Sequence, residues 1–387
     1  MDFIVGTFNT SDLFILHFSP ATASKSASIT IVRSLPAIGS HSWLALSEPR
    51  VDTRKRLLYA TTWTEPPSIA AYAVNPTTRD IQFVNAKPVK ARPGYVCVSG
   101  THVYSVGGPT GEAFTLLPDG GIGDLVQELS FVDDTSTSAR AAVPHGDFGG
   151  LRHGSHSVDL SPDRRSLYVA DIGRNAIFTY SINKTRGGTP HLTLGSKHVS
   201  PRSNDGPRHT WPHPNGQILY SLQEHSSMVD LFNIAVDGTT LTHLGGVKII
   251  PEDKDPVNYW ADEVRLSTTT ADEREAQPRY LYASTRGLHK DTMGYVAVFE
   301  LNPDGSLQSD TAVCIWETPT SGGIANAIEP APRSRASGLE YLAMTDSEQG
   351  WVFILAFDGT SISETARVKL GQAEDGQGIQ AATAVWL

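Results

Sequence analysis

The amino-acid sequence predicts an all-β protein, a β-propeller of seven blades. A short strand pattern, an apolar triplet that usually contains tyrosine, recurs along the chain, and each copy is followed by a turn and a second apolar or alternating strand. Successive copies lie about 45 to 65 residues apart, which fits propeller blades with variable loops better than the shorter solenoid repeats. The apolar period of 3.6 residues that helical repeats need is not found.

The repeated unit is a predicted β-hairpin. Its first strand carries the recurring triplet: Phe3-Ile4-Val5, Leu58-Tyr59-Ala60, Val103-Tyr104-Ser105, Leu167-Tyr168-Val169, Leu219-Tyr220-Ser221, Leu281-Tyr282-Ala283 and Tyr341-Leu342-Ala343. Its second strand is predicted at 15–18, 69–74, 113–117, 177–182, 229–234, 295–301 and 351–357. Turn-forming sequences such as Ser161-Pro162-Asp163 separate the strands.

We expect residues 1–387 to form one propeller domain, because no low-complexity linker or abrupt change of composition divides the chain. The final segment, 383–387, is predicted to be a strand that pairs with the first blade and removes an exposed sheet edge. The polar segments 183–207 and 267–279 are expected to be loop insertions.

Composition limits the partners of this chain. Lys and Arg total 31 and Asp and Glu total 41, so the net charge is −10, which disfavours nucleic acid and anionic membranes. Cys97 and Cys314 are far apart and no CxxC spacing occurs, which predicts neither a disulfide framework nor a zinc site and favours a cytoplasmic location. A small-molecule carboxylic acid is the expected partner, and the sequence leaves the oligomeric state open, a homo-oligomer included.

Polar residues near the predicted strand ends are the candidates for a site, because inner strands and their loops converge on the central channel of a propeller. His156 opens a predicted strand, and the ordinary imidazole pKa of about 6.5 suits proton transfer. The alternative is a histidine that only caps the strand. His145 and His153 are expected to be loop histidines.

Two arginines and one carboxylate complete the candidate set. Arg208 and Arg286 are predicted to occupy corresponding places in two blades, and guanidinium groups bind carboxylates through two parallel hydrogen bonds. Structural ion pairs, for example with Glu224 or Asp262, are the alternative. Glu224 follows a predicted strand and is expected to point into the channel as an acid, a base or an orienting group.

No cofactor is expected, because the chain has no GxSxG, HExxH or Walker sequence. Glu224, Asn326 and Asp262 are conceivable ligands of a divalent ion. The two neighbouring arginines would repel a cation, so we expect no metal.

Several short stretches carry a family likeness. They are Ile4-Val5-Gly6-Thr7-Phe8, Ser42-Trp43, Ala283-Ser284 before Arg286, Thr318-Pro319-Thr320-Ser321-Gly322-Gly323 with Asn326-Ala327, Met344-Thr345-Asp346 and Glu348-Gln349-Gly350-Trp351. Through them the sequence resembles the fungal carboxy-cis,cis-muconate cyclases, seven-bladed propellers of the wider lactonase group. The likeness implies a cofactor-independent cycloisomerase of aromatic-acid catabolism that closes a muconate to a muconolactone.

The resemblance also implies roles for individual residues. The catalytic residues are expected to be His156, Arg208, Glu224 and Arg286. The two arginines would clamp substrate carboxylates, and either His156 or Glu224 would deliver a proton to carbon. Asn326 is expected to contribute to the substrate pocket.

One position departs from the family pattern. Members usually have a histidine after the two glycines, whereas this chain has Ile324, which is expected to line the substrate pocket. An apolar side chain cannot bind an extra carboxylate, so unsubstituted cis,cis-muconate, or another unsaturated acid or lactone, is expected in place of the carboxylated acid. A lactonase acting on a sugar-acid lactone and a non-catalytic propeller that binds protein partners are the alternative functions.

Overall fold

The computed structural model describes residues 1–48, 56–132, 154–184, 190–268, 277–333 and 338–387. These residues form strands β1 to β28 and a three-residue 3-10 helix, Pro256–Asn258. None of the helices in these ranges is long and apolar enough to cross a membrane. His145 and His153 lie outside the described residues.

The strand bounds follow in chain order. The first fourteen are β1 Asp2–Thr7, β2 Asp12–Ser19, β3 Ser28–Pro36, β4 Leu44–Leu46, β5 Arg56–Thr62, β6 Ser68–Asn75, β7 Asp80–Pro88, β8 Tyr95–Val98, β9 His102–Gly107, β10 Thr110–Leu116, β11 Ile122–Ser130, β12 Ser155–Leu160, β13 Ser166–Asp171 and β14 Ala176–Lys184. The others are β15 Pro190–Val199, β16 Pro207–Pro212, β17 Ile218–Gln223, β18 Met228–Ile234, β19 Leu241–Lys248, β20 Tyr259–Leu266, β21 Tyr280–Gly287, β22 Tyr295–Glu300, β23 Cys314–Glu317, β24 Ile328–Pro330, β25 Glu340–Thr345, β26 Trp351–Phe357, β27 Ile362–Lys369 and β28 Ala381–Trp386.

The strands are arranged in seven four-stranded antiparallel sheets. Blade 1 has the order β28-β1-β2-β3, and each later blade takes four consecutive strands, from β4–β7 through to β24–β27. The first strand of every sheet contacts the first strands of both neighbouring sheets, so these inner strands form a closed ring around the channel. The predicted fold class, an all-β seven-bladed propeller, is confirmed.

The two ends of the chain meet in blade 1. Strand β28 pairs with β1 in an antiparallel ladder in which Phe3 faces Trp386 and Val5 faces Ala384. The C-terminal strand therefore supplies the inner strand of the blade that the N-terminus begins. This pairing covers an edge that would otherwise expose unpaired backbone groups.

The recurring tyrosines tie neighbouring blades together. Their rings are almost fully buried, and four hydroxyl groups donate across to the next blade, since a buried tyrosine needs a polar partner. The bonds run from Tyr59 to the Gly120 carbonyl at 2.8 Å, from Tyr168 to the Gly238 carbonyl at 3.1 Å, from Tyr220 to the Gly305 carbonyl at 2.6 Å and from Tyr282 to the Glu340 carboxylate at 2.7 Å. The tyrosine repeat in the sequence is thus the signature of blade-to-blade packing.

The predicted hairpins correspond to the second and third strands of each blade. The expectation that 183–207 forms a loop insertion is wrong, because β15 is the outer strand of its blade. Outer strands expose one face to solvent, so they are polar and alternate weakly, as β19 and β27 also show. The other expected insertion, 267–279, lies partly outside the described residues.

Candidate active site

A pocket opens at one end of the central channel and encloses about 610 Å³, including the solvent at its mouth. It combines an apolar wall with a dense charged cluster. The charged and polar lining consists of His156, Arg208, His209, Glu224, Asp262, Glu263, Arg286, Ser42 and Thr383, and the apolar lining of Phe8, Trp43, Trp63, Ile172, Ile324, Ala325, Ala327 and Ala382. A mostly apolar cavity with a few convergent polar groups is typical of a small-molecule site.

Three of the charged or polar side chains are placed by β-bulges in the inner strands of consecutive blades. In β12 the pairing register skips His156, in β16 it skips Arg208, and in β20 it skips Asp262. A bulge inserts one residue that has no partner across the ladder and redirects its side chain. The same local device therefore turns an imidazole, a guanidinium and a carboxylate toward one pocket.

Glu224 and Arg286 reach the pocket from second strands. Glu224 follows the end of β17, and Arg286 is the penultimate residue of β21. The prediction that Arg208 and Arg286 occupy corresponding places is therefore wrong. Arg208 occupies the bulge position of the inner strand of its blade, as His156 and Asp262 do in theirs, whereas Arg286 and Glu224 occupy the end of the second strand.

The backbone holds Glu224 between two inner strands. Its amide donates to the Gly206 carbonyl at 2.8 Å, and its own carbonyl accepts from the Ala261 amide at 2.9 Å. Gly206 has a φ of 67°, and a Cβ at that position would lie 2.8 Å from the ring of His225. The turn before Arg208 therefore requires glycine.

Two guanidinium groups and two carboxylates form one buried ionic cluster. Arg208 places Nε 2.9 Å from Glu224 Oε2 and Nη2 3.0 Å from Asp262 Oδ1. Arg286 contacts the same carboxylates at longer range, 3.7 Å to Glu224 Oε1 and 3.4 Å to Asp262 Oδ1, and it lies over the ring of Trp260. Every one of these four charged side chains is less than 10 % exposed.

The cluster balances its own charge, with two guanidinium groups and two carboxylates. Ion pairs between the arginines and both Glu224 and Asp262 do form, and they form inside the pocket. No group of three or more metal-ligating side chains occurs among the residues that the structure describes. Both carboxylates already face guanidinium groups, so a cation could bind them only by replacing those ion pairs.

His156 lines the pocket beside the arginines. Its ring centroid lies 5.1 Å from that of His209, and its Nδ1 is buried and has no hydrogen-bond partner in the described part of the chain. Burial, together with the positive charges of Arg208 and Arg286 and the neighbouring His209, lowers the pKa of His156 well below its ordinary value. The imidazole is therefore neutral at neutral pH when the pocket holds no anion.

His209 and Glu263, which also line the pocket, form a hydrogen-bonded chain beside Arg208. His209 Nε2 is 3.0 Å from Arg208 Nη1, and His209 Nδ1 is 2.8 Å from Glu263 Oε1. Burial raises the pKa of Glu263 to about 7, with Arg265 acting in the opposite direction. Sequence reasoning did not select His209 or Glu263, and it considered Asp262 only as an ion-pair partner or metal ligand. The signal for all three was their position beside or on a bulge, which only strand pairing shows.

The glycine-rich loop between β23 and β24 forms the apolar side of the pocket. Gly322 and Gly323 have φ values of 85° and 67°, and a Cβ on Gly322 would lie 2.7 Å from the Cβ of Asn326. Ser347 Oγ accepts from the Ile324 amide at 2.6 Å. This tight loop presents Ile324 to the pocket.

Asn326 is not among the side chains that line the pocket. It is fully buried, its amide Nδ2 donates to the Thr285 carbonyl at 3.1 Å, and its backbone N–H donates to Asp262 Oδ2 at 2.8 Å. The structure therefore places Asn326 behind Asp262, which it orients, and not on the wall where substrate contact was expected.

Residues 2–319 match the family described as lactonase, 7-bladed beta-propeller. The chain belongs to this lactonase family. It is 40% identical over 391 residues to "Muconate cycloisomerase 1" of Cutaneotrichosporon cutaneum, a match that covers 100% of this chain and 98% of that protein. It is also 31% identical over 236 residues to "Carboxy-cis,cis-muconate cyclase" of Neurospora crassa, which covers 59% of each chain.

Solved structures show the lactonase-family fold from end to end. A putative 6-phosphogluconolactonase of Bacteroides uniformis aligns with a TM-score of 0.75 at 18% identity, covering 100% of this chain and 99% of that one. The periplasmic gluconolactonase PpgL of Pseudomonas aeruginosa aligns with a TM-score of 0.72 at 17% identity, covering 99% and 98%. At these identities the likeness shows the fold alone, whereas the muconate cycloisomerase shares 40% of its residues over the whole chain.

Proposed function

We propose that this protein is a cofactor-independent cycloisomerase that converts a cis,cis-muconate-type unsaturated dicarboxylic acid into a muconolactone. The observation that carries the proposal is the buried cluster of Arg208, Arg286, Glu224 and Asp262 with His156 beside it, at the mouth of the channel. The full-length similarity to a protein named muconate cycloisomerase supports the same reaction class.

The reaction makes one bond and moves one proton. A carboxylate oxygen of the substrate adds to the distal alkene carbon that closes a five-membered ring, and a C–O bond forms. The alkene π electrons shift toward the carbon beside the second carboxylate, which takes on enolate character. A proton then adds to that carbon, and the product is a lactone with one free carboxylate. No electron acceptor is required.

The arginines suit the charge that develops in this step. Guanidinium groups aimed at the second carboxylate stabilise the enolate-like transition state more than the substrate, which is the requirement for catalysis. Both arginines are fixed by carboxylates, and the contacts of Arg208 are the shorter ones. Arg208 is therefore the anchored member of the pair, and Arg286 completes the clamp from the neighbouring blade.

His156 is the proposed proton donor. Its pKa is lowered by nearby positive charge and burial, so a bound dianion would raise that pKa again and draw a proton onto the ring at the moment it is needed. Glu224 lies between the two guanidinium groups, which supports a role in orienting them. The proposal thus resolves the choice between His156 and Glu224 in favour of the imidazole.

The apolar wall supports the unsubstituted acid as substrate. Ile324, Ala325 and Ala327 offer no donor to a third carboxylate, and burying an unpaired charge against them is unfavourable. We further propose that the enzyme works in the cytoplasm, in the β-ketoadipate branch of aromatic-compound catabolism.

Ultraviolet-monitored turnover tests the proposal. The purified protein is mixed with cis,cis-muconate, 3-carboxymuconate or their lactones, and the diene absorbance is followed with and without enzyme; hydrolysis of a sugar-acid lactone is assayed alongside. Loss of the absorbance with muconate, and a product identical to muconolactone by NMR, is the expected result. Hydrolysis of sugar-acid lactones without any cyclisation would identify a lactonase, and inertness toward the whole panel would leave a binding propeller.

A further inference from the structure

His209 forms a buried link between Arg208 and Glu263. The side chains of His209 and Glu263 are each 1% exposed. Arg208 Nη1 is 3.0 Å from His209 Nε2 and also donates to the Asp262 carbonyl. Nε lies 2.9 Å from Glu224 and Nη2 lies 3.0 Å from Asp262, so carboxylates fix the other two guanidinium nitrogens of Arg208 by charge.

Donor and acceptor accounting fixes the protonation of this histidine. A guanidinium group only donates, so His209 Nε2 must accept the hydrogen bond from Arg208. Nδ1 then carries the proton and donates to Glu263 Oε1 at 2.8 Å. His209 is therefore held as the neutral Nδ1–H tautomer.

Glu263 is itself held in place as an acceptor. Its Oε1 accepts from Arg265 Nη1 at 2.6 Å and from the Val264 amide at 3.0 Å, and both of these groups only donate. Arg265 is fixed in turn by Glu329 at 2.8 Å and by the ring of Trp211, 4.2 Å below its guanidinium carbon. The donors and acceptors are therefore fixed: Arg208 donates to His209, and both His209 and Arg265 donate to Glu263.

Aromatic packing prevents the His209 ring from turning. Its centroid lies 5.1 Å from that of Trp43, 5.3 Å from that of Tyr95 and 5.1 Å from that of His156. Trp43 and Tyr95 stack on each other at 3.9 Å. The ring is therefore in contact with the proposed proton donor as well as with the anchored arginine.

We propose that His209 and Glu263 are positioning residues of the active site: the donor Arg208 on one side and the acceptor Glu263 on the other hold His209 as the Nδ1–H tautomer, and His209 thereby sets the orientation of Arg208 toward the substrate. Burial and the charges of Arg208 and Arg265 also lower the pKa of His209 well below its ordinary value, which keeps the ring neutral. The inference deepens the proposed function and rests on it for its kinetic consequence. The tautomer itself can be measured without any substrate.

The first test is nuclear magnetic resonance of protein labelled with ¹⁵N-histidine. The His209 signals, assigned by their loss in a His209→Gln variant, are expected to show a protonated Nδ1 and an unprotonated Nε2 at neutral pH. Glu263→Gln is expected to keep this tautomer, because Arg265 and the Val264 amide hold the new carbonyl oxygen where Oε1 was. An Nε2–H tautomer or an imidazolium in the wild-type protein would overturn the proposal, whatever the outcome of the muconate assay.

The second test compares two substitutions of His209. Phenylalanine keeps the ring contacts and removes the acceptor, whereas the side-chain oxygen of glutamine can lie near the Nε2 position and accept from Arg208. We expect His209→Phe to lower kcat/KM for muconate by about 100-fold, the effect of a misplacement of about 1 Å. His209→Gln is expected to recover most of that loss.

His41→Phe is the matched control. His41 is also fully buried and is hydrogen-bonded to the Tyr72 hydroxyl at 2.8 Å and to the Thr61 carbonyl at 2.7 Å, but it does not line the pocket. Both phenylalanine variants should lower the melting temperature, and only His209→Phe should lower kcat/KM. Equal kinetic effects from the two variants, or no recovery with glutamine, would overturn the positioning role. If the wild-type protein does not turn over muconate, the proposed function fails and the tautomer measurement still decides the hydrogen-bond chain.

Discussion

Replacing Arg208 with methionine tests the ionic cluster most directly, because methionine keeps the length of the side chain and removes its charge. Arg208 lies 2.9 Å from Glu224 and 3.0 Å from Asp262, and both carboxylates are at most 2% exposed. At an effective dielectric constant of about 20, each contact is worth roughly 6 kcal/mol of Coulomb attraction. Desolvation of the three groups offsets most of that sum.

What remains after the substitution is an uncompensated negative charge in the channel. Removing one partner of a buried ion pair lowers the free energy of unfolding by about 3 to 5 kcal/mol, and we expect Arg208→Met to fall in this range. Loss of a group that stabilises transition-state charge lowers kcat by about 100-fold to 1,000-fold. Urea unfolding followed by tryptophan fluorescence measures the first quantity, and the muconate assay measures the second.

Arg202→Met provides the control. Arg202 also bridges two carboxylates, Asp205 and Asp230, at 2.6 Å each, but its side chain is 37% exposed and does not line the pocket. This variant should lose less stability, since solvent screens its charge, and should retain wild-type turnover. An Arg208→Met protein as stable and as active as the wild type would refute the reasoning from the cluster.

The remaining predictions concern the proton, the substrate and the metal. His156→Gln should lower kcat by about 100-fold or more, the contribution of a positioned acid. Because the pKa of His156 is lowered, the protonated fraction of His156 in the free enzyme grows as pH falls. We therefore expect kcat/KM of the wild type to rise toward acid pH. If the same rise occurs in the His156→Gln variant, His156 is not its source. Ile324→Lys should raise kcat/KM for 3-carboxymuconate relative to kcat/KM for muconate by about tenfold, the value of a charged hydrogen bond. An unchanged ratio would show that Ile324 does not lie against the third carboxylate. Dialysis against a chelator should leave turnover unchanged, because Glu224 and Asp262 already face guanidinium groups; activity lost on dialysis and restored by a divalent ion would contradict this.

The strands that sequence analysis located are those whose side chains are buried on both faces. The second and third strands of each blade are packed between neighbouring sheets, so they are mostly apolar. Four of the tyrosines in the recurring triplets also donate a hydrogen bond to the next blade. Inner strands such as β12 and β16 carry polar groups for the channel, and outer strands such as β15 face solvent. Neither the inner nor the outer strands repeat an apolar pattern. For this reason the segment that forms β15 was predicted to be a loop.

Several residues of the site could be predicted from the sequence, but their geometry could not. His156, Arg208, Glu224 and Arg286 do meet at one pocket, and residue types near strand ends, with the family likeness, were enough to select them. Their geometric relation was not predictable, because a bulge moves one residue out of the ladder without any mark in the residue spacing. The contribution of Asp262, His209 and Glu263 became visible only with the pairing register.

The sequence by itself determined the ring of seven hairpins and the chemical character of the pocket. The alternation of buried and exposed residues and the positions of turns depend on residues that are close together in the sequence, so they can be recognised from the sequence alone. Only the tertiary structure decided which charges touch, that Asn326 lies behind Asp262, and that His209 donates to Glu263. Those relations depend on distances of a few ångströms between different blades, and side chains more than fifty residues apart acquire such distances only when the ring packs together.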